Sequence, residues 1–224
     1  MLISISGVLK PDELALVRDA LADAPFVDGR LSAGDAARRV KNNQELDREA
    51  PELERLNRVV MGALARHPAY RSAALPLHAA SPLYARYRPG MAYGAHLDDP
   101  IMGADGALYR SDVALTLFLN SPDEYDGGEL VVHGASGEQR LKGRAGDAVL
   151  YPAGSIHQVS PLTRGERLVA VTWIQSLVRD SARRELLHGL NAAREVLLRK
   201  SPDAPECAQV NAAYLNLIRM WSDL

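Results

Sequence analysis

The chain carries three different hydrophobic rhythms. In the first 80 residues the helical period dominates. From Pro11, the apolar residues Leu14, Val17, Ala20 and Leu21 recur at helical spacing, and proline suits a first helical turn because the N–H it lacks has no intrahelical partner there. The same period returns from about Pro51, with Leu53, Leu56, Val60 and Leu64 on one face, and ends near His67-Pro68. Between these stretches, GRLSAGDAARRVKNNQEL is polar and bears glycine, which predicts a loop with a short helix.

Residues 81–176 change to short β-rich runs punctuated by glycine and proline. The expected strands are Leu83–Tyr87, Ala92–His96, Asp112–Leu119, Glu129–Val132, Glu138–Leu141, Ala148–Tyr151, His157–Val159 and Arg167–Gln175. Turn chemistry separates them: RPG at 88–90, DGG at 126–128, ASG at 135–137 and RAGD at 144–147. Short strands in such number point to a double-sheet jelly roll or a barrel, not to an α/β sheet. After Gln175 the helical period resumes. Leu186, Leu187, Leu190, Ala193, Val196 and Leu197 fall on one face over 180–199, SPDAP breaks the run, and Val210, Tyr214, Leu217, Ile218 and Trp221 mark a last helix. Such a helical hairpin needs a surface to pack on. A buttress on the β core is the plainer expectation and a homodimer contact the sharper one. The chain therefore divides at 1–80, 81–176 and 177–224.

Composition narrows the class. The 224 residues are 47% hydrophobic and 24% charged with a formal net charge of -2, which describes a globular chain and supplies no electrostatic footprint for nucleic acid or for an anionic membrane. No eighteen apolar residues run together. The opening MLISISGVLKPDELALVRDAL lacks a positive start and is interrupted by Lys10, Asp12 and Glu13, so it does not read as a leader. Cys207 is the single cysteine. Neither a disulfide nor a thiolate metal cluster can form within the chain, and the cytoplasm is the expected compartment.

The candidate chemistry lies in the β-rich third. In AYGAHLDD, His96 and Asp98 stand two residues apart on a run that reads as a strand, and alternate residues of a strand share a face. His157 follows 59 residues after Asp98, and Arg167 ten residues after that, across a TRGE turn. A hairpin at this spacing would put Arg167 on the strand beside that of His157, pointing into the same cavity. Two histidines and one carboxylate, with open positions opposite, form the metal set of non-haem iron(II) oxygenases. The fixed fork of an arginine can hold a carboxylate through two parallel hydrogen bonds, which would anchor a dicarboxylic co-substrate whose other end chelates the metal.

On these residues the chain resembles the iron(II)/2-oxoglutarate-dependent dioxygenases, and among them the PKHD-type hydroxylases. The likeness is carried by YRPGMAYGAHLDD, RSDVALTLFLN, YDGGELVVHG, GDAVLYPAGSIHQV and TRGERLVAVTWIQSLVRD, and extends to MLISISGVL, VKNNQEL and the helical C-terminal extension. The resemblance implies an α+β protein with a double-stranded β-helix (jelly-roll) core, N-terminal helices and a C-terminal helical extension. It implies His96, Asp98 and His157 as ligands of Fe(2+), and Arg167 on the distal carboxylate of 2-oxoglutarate with Tyr87 helping. It implies hydroxylation of an unactivated C–H bond, in the manner of prolyl and lysyl hydroxylases, with O2 consumed and 2-oxoglutarate converted to succinate. L-ascorbate is the reductant expected by resemblance. The hydroxylated substrate, small-molecule or peptidyl, is not named by any motif.

Other polar residues read more plainly. His133 is expected to be a surface or hydrogen-bonded histidine in preference to a fourth ligand, and Asp99 to face away from the metal. His67, His78 and His188 read as structural or solvated, Tyr84 and Tyr93 as aromatic filling, and Arg110, Asp112 and Arg179 as solvated charge in preference to substrate or ion-pair residues. Two further readings use the same residues. One is an iron and 2-oxoglutarate sensor without turnover; the other is a cupin-type metal enzyme, whose HxH spacing is missing here.

Overall fold

The computed structural model describes residues 2–104, 106–134 and 137–224. Two antiparallel sheets face each other. The larger runs in the order Ile3–Ile5, Ala148–Pro152, Val113–Phe118, Arg167–Ser176, Leu83–Tyr87, Gln44–Leu46 and Phe26–Asp28, with Pro76–Ala79 added at the far end of Arg167–Ser176. The smaller runs Gly137–Leu141, Leu130–Gly134, His157–Val159, Ala92–His96 and Lys41–Asn42. Together they form the expected jelly roll.

The central strand VALTLF, Val113–Phe118, is buried at every position, because one face meets helices and the other meets the opposite sheet. Leu115 and Leu117 pack with Val17, Leu21, Leu56, Val60 and Leu64 of the helices Pro11–Ala22 and Leu53–Arg66. Ala114 and Phe118 join Tyr87, Tyr125, Leu130, Val159 and Val169 between the sheets. A strand covered on both faces reads as an unbroken apolar run, and the alternation survives only in which layer each residue enters.

Several expectations change. The stretch 29–46 contains two short strands, Lys41–Asn42 and Gln44–Leu46, beside the short helix Asp35–Arg38. Two- and three-residue strands are too brief to show a period. Strand Ala92–His96 ends at His96, so Asp98 stands just beyond it. Arg167 is not on a strand next to His157: their strands belong to opposite sheets, because Leu162–Gly165 turns aside to pair with Tyr125–Gly127 before the chain crosses over. The ASG turn at 135–137 falls partly outside the described residues. At the DGG turn, Gly127 and Gly128 hold φ of 71° and 65°, the left-handed region that glycine enters without steric cost.

The C-terminal helices Ser181–Lys200 and Pro205–Trp221 buttress the core. Leu187, Val178 and Leu75 are buried together against Tyr214, Leu217, Ile218 and Trp221. The face predicted from the sequence is only partly covered: Leu186 is 64% exposed and Val196 40%. A polar tie is added by Arg184, whose Nη1 donates to the carbonyls of Val178 at 2.6 Å and Arg179 at 2.7 Å. Arg110 and Asp112 are a partly buried ion pair at 2.6 Å, not solvated charge. Among the described residues no helix is long and apolar enough to cross a membrane.

Candidate functional site

A cavity of about 720 Å³ opens between the sheets. The smaller sheet brings His96 and His157 onto neighbouring strands, where they are direct cross-strand partners with ring centroids 4.2 Å apart. Asp98, on the segment leaving His96, places Oδ1 3.7 Å from His157 Nε2. One donor atom from each of the three lies within 4.8 Å of the others, and among the described residues these form the one such cluster of His, Cys, Asp or Glu side chains.

Both imidazoles are set for the same job by the backbone. Nδ1 of His96 lies 2.8 Å from the Gly94 carbonyl, and Nδ1 of His157 lies 2.9 Å from that of Ser155. A carbonyl oxygen only accepts, so each Nδ1 carries a proton, and in the neutral ring the lone pair available to a metal is that of Nε2. Burial, then the neighbouring His157 and Lys41, pushes the His96 pKa down to about 4, which keeps that ring neutral at physiological pH. Tyr93 lies flat on His96, centroids 3.6 Å apart and planes 10° from parallel, and Tyr151 meets His157 edge-on at 5.0 Å. Burial also raises the pKa of Asp98, against which His157 and the Trp173 indole pull. Its Oδ2 is buried without a hydrogen-bond partner. A desolvated carboxylate with an idle oxygen beside two imidazoles whose Nδ1 atoms face backbone carbonyls is a donor set that a divalent cation satisfies, so these residues fit an iron(II) ion.

Across the cavity, Arg167 begins the strand Arg167–Ser176 and pairs directly with Tyr87, whose ring centroid lies 5.0 Å from its guanidinium carbon. Arg167 is 2% exposed, and no acidic side chain among the described residues ion-pairs with it. An arginine buried in that state fits a carboxylate ligand. The phenol of Tyr87 is held neutral by its burial.

Of the remaining candidates, His133 stays apart, 3.8 Å from Glu138. Asp99 lies at the cavity mouth, facing Gly34, with its oxygens outside the metal cluster. His67 meets the Ser6 carbonyl, His78 packs on Tyr109 and His188 meets Ser72. Sequence reasoning missed several lining residues. Val171 and Trp173 follow Arg167 at even spacing and line the same cavity; Lys41, Asn43 and Glu45 do likewise. Strand alternation was the signal available for Val171 and Trp173, whereas the strands around Lys41, Asn43 and Glu45 are too short to show it. Lys41 and Glu45 are paired at 2.5 Å with side chains only 6% and 9% exposed.

Residues 82–175 match the 2OG-Fe(II) oxygenase superfamily, and residues 180–223 match the PKHD-type hydroxylase C-terminal domain. The chain is 50% identical over 224 residues to a PKHD-type hydroxylase of Thioalkalivibrio sulfidiphilus and 44% identical over 226 residues to one of Burkholderia ambifaria, with 100% of both chains covered in each comparison. Among solved structures it is similar to a Trichoplax adhaerens prolyl hydroxylase in complex with a hypoxia inducible factor oxygen degradation domain peptide fragment (TM-score 0.56, 17% identity, covering 83% of this chain and 86% of that one). It is also similar to HygX from Streptomyces hygroscopicus with nickel and 2-oxoglutarate bound (TM-score 0.53, 16% identity, covering 79% and 84%). At those identities the structural likeness is one of fold.

Proposed function

The chain belongs to the PKHD-type hydroxylases, which are iron(II)- and 2-oxoglutarate-dependent dioxygenases, and from that premise we propose that His96, Asp98 and His157 hold the iron while Arg167, with Tyr87, holds the distal carboxylate of 2-oxoglutarate. The observation that carries this reading is a buried arginine with no acid partner among the described residues, in the same cavity as a cluster of three metal-ligating side chains. When bound, the iron supplies the redox chemistry that couples decarboxylation of 2-oxoglutarate to succinate with hydroxylation of a C–H bond by O2.

The chain's own residues supply position and dryness. The two Nε2 lone pairs and the Asp98 carboxylate offer three ligands from one side, leaving the opposite side to the co-substrates. Arg167 fixes the far end of 2-oxoglutarate through its fork, and Tyr87 offers a neutral O–H to the same carboxylate. Placing that carboxylate in the cavity without a cation would cost several kcal/mol, so the clamp decides whether 2-oxoglutarate binds at all. Asp99 and Ile101 line the cavity toward solvent, where a small-molecule or peptidyl substrate enters.

L-ascorbate as the reductant that keeps iron in the ferrous state is supported by family likeness. A cytoplasmic location is supported by the lone buried Cys207. A homodimer through the C-terminal helices is supported by Leu186 and Met220, exposed on either helix; sedimentation of wild type as a single chain would remove it.

The test of the clamp is Arg167→Ala. It raises the 2-oxoglutarate concentration needed for half-maximal succinate formation by at least about tenfold and leaves Fe(II) affinity unchanged. An unchanged 2-oxoglutarate requirement would show that the carboxylate binds elsewhere.

A further inference from the structure

Arg167 is a long side chain with no acid partner among the described residues to fix its orientation, and its Nε is buried without a hydrogen-bond partner at ordinary geometry. The hydroxyl of Tyr125, a residue 1% exposed, is in the same condition. The two side chains meet around Gly128. A Cβ at that position would lie 3.1 Å from Arg167 Cδ, 3.4 Å from Tyr125 Cδ2 and 2.8 Å from Leu162 Cδ1. Burial raises the Tyr125 pKa, and the charge and N–H donor of Arg167 pull it back, as expected for a phenol oxygen beside that guanidinium.

Tyr125 is itself firmly seated. The preceding turn is closed by Ser121 N donating to Glu124 Oε1 at 2.7 Å and by Arg18 donating to Glu124 Oε2 at 2.8 Å. Lys142 Nζ donates to the Tyr125 carbonyl at 2.5 Å and lies over its ring, 4.2 Å from the centroid. Tyr125 is buried and is not among the residues that line the cavity.

We propose that Tyr125 is a positioning residue for Arg167: its phenol oxygen accepts the Nε–H from behind and leaves the two terminal nitrogens of the guanidinium facing the cavity. This rests on Arg167 being the carboxylate clamp. The YDGG segment then acquires a purpose beyond its turn. Tyr125 holds the arginine's rear, and Gly128 leaves room for the arginine's stem. A two-point grip on a carboxylate through the two terminal nitrogens leaves Nε–H free for a second partner, and leaving a charged donor unpaired in the interior is unfavourable.

Tyr125→Phe keeps the ring, its place among Tyr87, Leu130 and Leu162, and its contact with Lys142, and removes only the hydroxyl. The experiment is calorimetric titration of 2-oxoglutarate into iron(II)-loaded protein without oxygen, for wild type, Tyr125→Phe, Arg167→Ala and the double variant. Tyr125→Phe raises the 2-oxoglutarate Kd roughly tenfold, within the range expected for loss of a supporting hydrogen bond behind a ligand-binding group, and leaves Fe(II) affinity and the thermal midpoint unchanged. In the Arg167→Ala background the same change adds nothing, because the phenol acts only through the guanidinium. Wild-type affinity in Tyr125→Phe, with weakened binding in Arg167→Ala, overturns the positioning role and spares the clamp. Wild-type affinity in Arg167→Ala overturns both. An undiminished Tyr125→Phe effect without Arg167 also overturns the proposal, since the phenol would then act by another route.

Discussion

A histidine is poised to ligate a metal when something else takes its proton-bearing nitrogen, and here the backbone does so twice, through the carbonyls two residues before His96 and before His157. The triad and Arg167 were recognisable in the sequence because their residue types and order are restrictive. Their supports were not, since a carbonyl acceptor carries no side-chain signature. Close packing behind the clamp makes a separate prediction. A Cβ on Gly29 would lie 1.9 Å from Oδ1 and 2.9 Å from Cγ of the buried Asn43. Gly29→Ala therefore displaces Asn43, costs about 1–3 kcal/mol in urea denaturation, and weakens 2-oxoglutarate binding because Asn43 neighbours the Tyr87 phenol. Unchanged stability and affinity would show that Asn43 moves aside freely.

The segments that frame the cavity are of unequal legibility. Leu83–Tyr87, Ala92–His96 and His157–Val159 have the bounds that alternation and turn residues predict. Lys41–Asn42 and Gln44–Leu46 do not stand out, being too short to show a period; their place is set by pairing with Ala92–His96 and Leu83–Tyr87. Which strands become neighbours is likewise a long-range property, and for that reason the sheet assignment of Arg167 differs from the local expectation. Lys41 and Glu45 show what these short strands contribute. The pair is almost wholly buried, Lys41 also donates to Ser32 Oγ at 2.9 Å, and its ammonium lies 5.2 Å from the ring centroid of Tyr93, which stacks on His96. Glu45→Gln leaves that ammonium without its counter-charge and destabilises the fold by about 3–5 kcal/mol, read as a lower denaturation midpoint at unchanged slope. A shift below about 1 kcal/mol would mean that water or Ser32 suffices.

At the scale of the whole molecule, one sheet carries His96 and His157 and the other carries Arg167, so in the proposed site the distance between sheets sets the distance between the two ends of the co-substrate. The C-terminal hairpin locks this arrangement from outside. Arg184 reaches the Asp112 carbonyl at 3.4 Å besides those of Val178 and Arg179, tying the hairpin to the loop before the central strand. Arg184→Ala removes the donor from the Val178 and Arg179 carbonyls, while that of Asp112 keeps the Ala153 N–H, and lowers stability by about 1–3 kcal/mol in a denaturant titration. The jelly roll and the helical extension were legible from the switch in hydrophobic period; the hairpin's buried anchor, an arginine on a helix of mixed face, was not.

The most direct measurement is anaerobic loading with Fe(II) followed by 2-oxoglutarate, watching the visible charge-transfer band that arises only when 2-oxoglutarate chelates iron. The band forms in wild type, disappears in His157→Ala, and requires more 2-oxoglutarate in Arg167→Ala. Folded, iron-loaded wild-type protein that shows no band at saturating 2-oxoglutarate would contradict a site built from His96, Asp98, His157 and Arg167.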